Sequence, residues 1–215
     1  MLPAVKRCRR DGGATKTMPA TALGIIVRFI VCFLLGSIPF AVLTMLGSGI
    51  DIRTVGSGNP GFNNVLRVNK WRAVLTLIGD MGKGYFAVWL ASHGAHGAAL
   101  GWLFGFGAIL GHCYSPFLKF NGGKGIATSG GVMLWLYPVW AAVALTFFVA
   151  MRVAGSKLKW PEAGATASIS TWVLFVILML AFVSPQDAIY AALMTLFLGW
   201  RHKKNFRNLM ARRSA

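Results

Sequence analysis

The chain has 215 residues, of which 56% are hydrophobic and only 13% charged. A water-soluble domain carries about 25% charged residues to cover its surface, so this composition excludes an ordinary soluble globule and points to surface that faces lipid. Lys and Arg number 22 against 5 Asp and Glu, a formal net charge of +17, and the cations sit mostly in short segments between apolar runs. That is the positive-inside pattern of a membrane protein, and it argues against nucleic acid as a partner.

Residues 1–21 form a basic tail with Lys6, Arg7, Arg9, Arg10 and Lys16, expected to be disordered. The apolar run behind it exceeds the roughly 7–15 residues of a signal-peptide core, so it is read as a retained first span over about Leu23–Leu46. A polar, glycine-rich stretch, Gly47–Arg72, follows and cannot span. A second span, about Ala73–Ser92, carries Asp80 and Lys83 one helical turn apart. His93–Gly97 reads as a tight turn, and a third span covers about Ala98–Leu118. After the glycine-rich Lys119–Gly125, the uncharged stretch to Met151 is either one long span or two short helices of about thirteen residues turning at Tyr137-Pro138. The turn is preferred, because proline favours a break there and the segments around Arg53, Lys124, Lys157 and Arg201 then share the cytoplasmic side. A further span runs over about Gly164–Val183, a turn over Ser184–Asp187, a last span over about Ala188–Trp200, and a basic C-terminal segment that suits the membrane surface.

The expected fold is therefore all-α: a polytopic bundle of about seven transmembrane helices, two of them short, with the N-terminus outside and the C-terminus cytoplasmic. Residues 22–210 make a single integral-membrane domain, with a short tail at 211–215. The N-terminal tail is the misfit of this topology, since it places five cations outside; translation starting at Met18 removes them. Cys8, Cys32 and Cys113 lack ligand spacing, so no disulfide framework, metal or cofactor is expected.

Several segments carry chemistry. Ser37 precedes Pro39 inside the first apolar run, where its hydroxyl either bonds back to the helix or serves a site. Gly56–Gly61, beside Arg53, is a loop whose glycines let N–H groups converge on an anion. Asp80 and Lys83 share a helix face at a depth where charge is costly, so they either pair or meet a substrate. Asn121-Gly122-Gly123-Lys124-Gly125 leading into a helix is the sharpest signal. A glycine-rich turn at a helix N-terminus suits phosphate, with Lys124 as a point charge. The pattern is not a nucleotide-hydrolysing P-loop. His112 is a minor candidate; His202 and Asn205 share one face after the last span. No carboxylate pair, Ser-His-Asp set or H-x-x-x-x-D box is present.

At these residues the chain resembles the bacterial integral-membrane acyl-phosphate:glycerol-3-phosphate acyltransferases, the PlsY family. The family's G-S-I-P-F stands at Gly36–Phe40, its D-I-R at Asp51–Arg53, and its G-S-G-N-P-G-A-T-N-V-L-R at Gly56–Arg67, with Phe62-Asn63 for Ala-Thr. Its F-K-G-G-K-G-V-A-T stands at Phe120–Thr128, with Asn121 for Lys, and its H-R-E-N-I at His202–Phe206, with Lys204 for Glu. A matching D-x-x-K-G stands at Asp80–Gly84. The resemblance implies transfer of an acyl group from acyl phosphate to the 1-hydroxyl of glycerol 3-phosphate, giving lysophosphatidate and phosphate, in the bacterial inner membrane with the site facing the cytoplasm. It implies catalytic roles for Ser37, Arg53, His202 and Asn205. It adds a substrate-binding set of Ser57, Asn59, Asn64, Lys83, Gly122, Gly123, Lys124, Gly125 and Thr128. Two further readings stay open: a carrier of phosphate or a phosphate ester, and an acyl-phosphate enzyme with another acceptor alcohol.

Overall fold

In the computed structural model, residues 21–93 and 97–213 are described. The basic tail up to residue 20, with Cys8 and Met18, lies outside them, as do His96 and residues 214–215. Among the described residues there are helices and turns and no strand. The helices are α1 Ala22–Gly36, α2 Phe40–Leu43, α3 Phe62–Val68, α4 Lys70–Ser92, α5 Ala98–Cys113, α6 Ile126–Leu136, α7 Pro138–Lys157, α8 Ala163–Phe182, α9 Pro185–Arg201 and α10 Lys203–Arg213. Four stretches of the described residues are long and apolar enough to cross a membrane: Ala22–Leu43, Ala98–Leu118, Pro138–Lys157 and Ala163–Phe182. With 23 residues, α4 is also long enough, but it carries Asp80 and Lys83.

The first apolar run is interrupted. Proline lacks an N–H and pushes the residue before it out of the helical region, so α1 stops at Gly36 and the chain restarts at Phe40. The break is held by side chains: Ser37 Oγ donates to the Phe33 carbonyl at 2.7 Å and Lys83 Nζ donates to the Ile38 carbonyl at 2.7 Å. Here α1 lies so close to α5 that a Cβ on Gly36 would run into the Ala108 backbone, and one on Gly111 into the Phe33 carbonyl. Small residues permit such close helix contacts in a bilayer, where packing rather than water drives association.

The polar stretch after α2 is a folded cap. Ile52 and Val65 are buried there with Ala41, Met45 and Ala73. Asn64 organises it, its amide donating to the Ile52 carbonyl at 2.9 Å and the Val55 carbonyl at 3.0 Å while its oxygen accepts from Ser57 N at 2.9 Å. Within the stretch expected not to span, Phe62–Val68 is helical, and α4 begins at Lys70 rather than at the expected Ala73, capped by Asn69, whose side chain accepts from Arg72 N.

The break at Tyr137-Pro138 is present, with Pro138 at the first position of α7, where its missing N–H costs nothing. The two halves are not equal. Helix α6 has 11 residues, too short to span, but α7 has 20 and runs through Arg152 to Lys157. Arginine and lysine are good helix formers, so the first cation did not mark the helix end. Likewise α9 starts at Pro185 rather than Ala188, because Ser184 caps it by accepting from Asp187 N.

Two polar clusters mark the ends of the bundle. At one end Trp102, Tyr137 and Ser184 all donate to the Asp187 carboxylate, joining α5, the α6–α7 break and the α8–α9 turn. At the other end lie the C-termini of α1, α5 and α9 and the start of α6, which together build the site below.

Candidate active site

The glycine segment between α5 and α6 is a backbone hairpin on the end of α5. Gly122 N donates to the Cys113 carbonyl and Gly123 N to the His112 carbonyl, both at 3.1 Å. The expectation that these two N–H groups cradle an anion is therefore corrected: both are already spent. Glycine is required for a different reason, since a Cβ on Gly122 would collide with the His112 carbonyl and one on Gly123 with the His112 ring. Gly125 does take a left-handed turn, φ 85°, as the cap of α6. The N–H groups of the first turn of α6 have no carbonyl within their own helix to receive them, and Lys124 directly precedes the Gly125 cap.

Lys124 is half-buried, and its Nζ donates to Asn205 Oδ1 at 2.6 Å. Asn205 Nδ2 in turn donates to Glu162 at 2.6 Å, and Asn208 Nδ2 donates to the same carboxylate at 2.9 Å. Burial lowers the Lys124 pKa, the Glu162 carboxylate counters it, and the cations Lys204, Arg201 and Arg67 lower it further. His202 is buried, its Nδ1 2.8 Å from the Leu198 carbonyl. A carbonyl only accepts, so Nδ1 carries the proton and Nε2 is left as the acceptor nitrogen. Burial, aided by Lys124 and Arg201, pushes this imidazole down to about 4, so it is neutral at pH 7.

A second small pocket adjoins the hairpin, lined by Ser37, Pro39, Pro60, Lys83, His112, Ser115 and Gly123 among others. Its floor is a buried charge cluster. Lys83 Nζ is 2.8 Å and His112 Nδ1 3.5 Å from Asp80 Oδ1, and Thr128 Oγ1 is 3.1 Å from His112 Nδ1. Ser115 Oγ donates to the Ser37 carbonyl at 2.6 Å, tying the α1 break to the end of α5.

The structure thus gathers Lys124, Gly125, His202 and Asn205 on one side of the hairpin and Ser37 beside its Gly123. Thr128 and Lys83 are buried and engaged within the protein, and Asn64 is committed to the cap loop. Ser57 is exposed and Asn59 half-buried on that loop, whose Pro60 reaches the small pocket. The Arg53 guanidinium is engaged by Asp51 rather than by these groups. It is exposed and doubly bonded to Asp51, Nε–Oδ1 2.9 Å and Nη2–Oδ2 2.7 Å, which holds the Asp51 carboxyl down at about 2.

Three contributors escaped the sequence reading. Arg201 donates through Nη2 to the carbonyls of Gly123 (2.9 Å), Cys113 (3.2 Å) and Gly122 (3.3 Å), stacks 4.8 Å from the Tyr114 ring, and keeps a buried Nε without a hydrogen-bond partner. Glu162 and Ser115 are the others. The place of Arg201, beside His202 at a helix end, was the available signal; Glu162 and Ser115 had none.

Fold and site define a helical membrane protein with a cluster of cationic and polar side chains around a glycine hairpin at one end of its bundle. Residues 26–212 match the family described as glycerol-3-phosphate acyltransferase. The chain is 41% identical over 201 residues to the glycerol-3-phosphate acyltransferase of Laribacter hongkongensis, covering 86% of this chain and 92% of that protein. It is 42% identical over 193 residues to that of Burkholderia lata, covering 87% and 88%. The crystal structure of PlsY (YgiH), an integral membrane glycerol 3-phosphate acyltransferase, in its glycerol 3-phosphate form matches with a TM-score of 0.76 at 30% identity, covering 88% of this chain and 93% of that one. The lysophosphatidic acid form matches with a TM-score of 0.75. The chain belongs to the glycerol-3-phosphate acyltransferase family.

Proposed function

We propose that this protein transfers an acyl group from acyl phosphate to the 1-hydroxyl of glycerol 3-phosphate, giving lysophosphatidate and inorganic phosphate, the first step of phospholipid synthesis. The observation that carries the reading is the convergence of Lys124, the α6 N-terminus, His202 and Asn205 beside the pocket that holds Ser37. A phosphate dianion entering there meets a lysine and the unpaired N–H groups of a helix start, both favourable to negative charge.

In this reading Lys124 and the first turn of α6 hold the acceptor phosphate. His202, neutral with Nε2 free to accept, and Asn205 orient the glycerol. Ser37 and Arg53 receive the donor end; for Arg53 this means exchanging Asp51 for the donor phosphate. The acceptor oxygen bonds to the acyl carbon, the bond from that carbon to the phosphate oxygen breaks, and the hydroxyl proton goes to the departing phosphate. The acyl phosphate is already activated, so no protein nucleophile is required. The acyl chain lies among the helices and enters from the bilayer. We place the site at the cytoplasmic face of a bacterial inner membrane, with seven membrane helices (α1 and α4–α9, the short α6 reaching only part of the way across), the N-terminus outside and the C-terminus inside.

The test is an assay of the purified protein with acyl phosphate and labelled glycerol 3-phosphate. Lysophosphatidate forms if the reading is right. Labelled glycerol 3-phosphate crossing a vesicle wall without product would indicate a carrier, and turnover with a different alcohol alone would indicate another acceptor.

A further inference from the structure

We propose that a groove between α8, α9 and α10 binds an anionic glycerophospholipid of the surrounding bilayer, one acyl chain lying in the groove and the phosphate resting on Lys203 and Arg207. The groove has a volume of about 530 Å³, within the range of small-molecule sites, and its lining changes character along its length. Ile169, Leu196, Gly199 and Trp200 give an apolar floor from α8 and α9.

Helix α10 supplies the other wall with one face. Lys203, Phe206, Arg207 and Met210 are spaced i, i+3, i+4 and i+7, so they form a single stripe of two cations alternating with two apolar side chains. Lys203 Nζ sits 4.9 Å from the Trp200 ring, which places its charge at the mouth of the groove. Among the described residues, no carboxylate lines it. Leu196 is 70% exposed and Trp200 51% exposed, large apolar surfaces that one lipid chain would cover. The stripe is separate from the proposed catalytic residues of the same segment, since His202 is buried and Asn205 turns to Lys124 and Glu162. A free phosphate ion has no use for the apolar floor, and a zwitterionic lipid brings its own cation to a groove mouth that already holds two. Only an anionic lipid uses both. The inference depends on the protein being embedded in a membrane, not on its catalytic reaction.

The test is native mass spectrometry of the full chain in detergent with equal amounts of phosphatidylglycerol and phosphatidylcholine. Each cation near an anionic head group favours it enough that wild type should retain phosphatidylglycerol about tenfold or more over phosphatidylcholine. K203A/R207A should bring the two lipids to parity. Gly199→Leu keeps both cations but fills the floor; its Cβ has nothing within 4 Å, and leucine is the better helix former, so the variant folds and retains less of both lipids. K157A/K159A, which removes two exposed cations away from the groove, should leave the preference intact, and thermal unfolding confirms that each variant is folded. Equal retention of the two lipids by wild type, an undiminished preference in K203A/R207A, or a dimer of this chain that shields the groove would overturn the proposal.

Discussion

Lys124→Ala is the sharpest test of the acceptor site. The side chain reaches Asn205 at 2.6 Å from the residue just before the α6 cap, so its ammonium is fixed next to that helix start. A hydrogen bond to a charged group contributes about 1.5–3 kcal/mol, and each 1.4 kcal/mol is tenfold, so the KM for glycerol 3-phosphate should rise by roughly 10- to 150-fold. The helix start remains and retains up to about 1 kcal/mol of attraction for phosphate, so binding weakens without vanishing. The KM for acyl phosphate should stay within about threefold, because the donor is assigned to Ser37 and Arg53. Ser37→Ala should do the reverse: it removes the 2.7 Å bond to the Phe33 carbonyl beside the other pocket and leaves the acceptor KM nearly unchanged. The assay is initial-rate formation of lysophosphatidate with each substrate varied in turn. An acceptor KM close to wild type in Lys124→Ala, or equal increases for both substrates, refutes the division of labour.

Four other outcomes follow from the same geometry. Gly123→Ala pushes a methyl into the His112 ring and should cost about 1–3 kcal/mol of stability along with activity, whereas Gly82→Ala, which meets nothing within 4 Å, should be harmless by thermal unfolding. Asp80→Ala leaves the Lys83 ammonium buried without a counter-charge and should destabilise by about 3–5 kcal/mol; the double variant with Lys83→Met should recover part of that in the same measurement. Glu162→Ala frees Asn205 and Asn208 together, so the acceptor KM should rise while the donor KM holds. The His202 imidazole has its pKa lowered by burial from 6.5 to about 4, so its contribution is fully present above about pH 6.5 and is lost as pH falls toward 4. That window is worth about 3 kcal/mol, and the stability difference between wild type and His202→Gln should shrink across it, reaching its floor near pH 4.

What could be read in the chain without coordinates was what depends on neighbours in sequence. Proline at 138 announced the break between α6 and α7, and the apolar runs announced the spans, because both signals are local. The length of α7 was not legible, since a cation ends an apolar run without ending a helix. Arg53 and Asp51 stand two residues apart, a spacing that serves an ion pair between them as readily as a substrate role. The glycines of the hairpin were singled out correctly as special, but their reason lies in His112 and Cys113, which meet them only when the chain folds back. Glu162 shows the limit most plainly. The motif that elsewhere carries Glu has Lys204 here, while a carboxylate 43 residues before Asn205 closes on that asparagine from the α7–α8 turn. No pattern of spacing could place it there.

The two ends of the bundle show how charge accounting separates scaffold from site. At the Asp187 end, one carboxylate is met by donors from Trp102, Tyr137 and Ser184, and the N-terminus of α9 lies under it. Nothing there calls for a ligand, and the cluster serves to pin three chain segments across a break that lacks helical hydrogen bonds. At the other end, Lys124 hydrogen-bonds a neutral amide oxygen, Arg201 spends its Nη2 on three carbonyls and retains a buried, unpartnered Nε, and His202 is held neutral. Positive charge is concentrated there beyond what Glu162 can balance. Holding such an excess next to lipid is costly, and under the proposed function a phosphate carrying about two charges offsets it on binding.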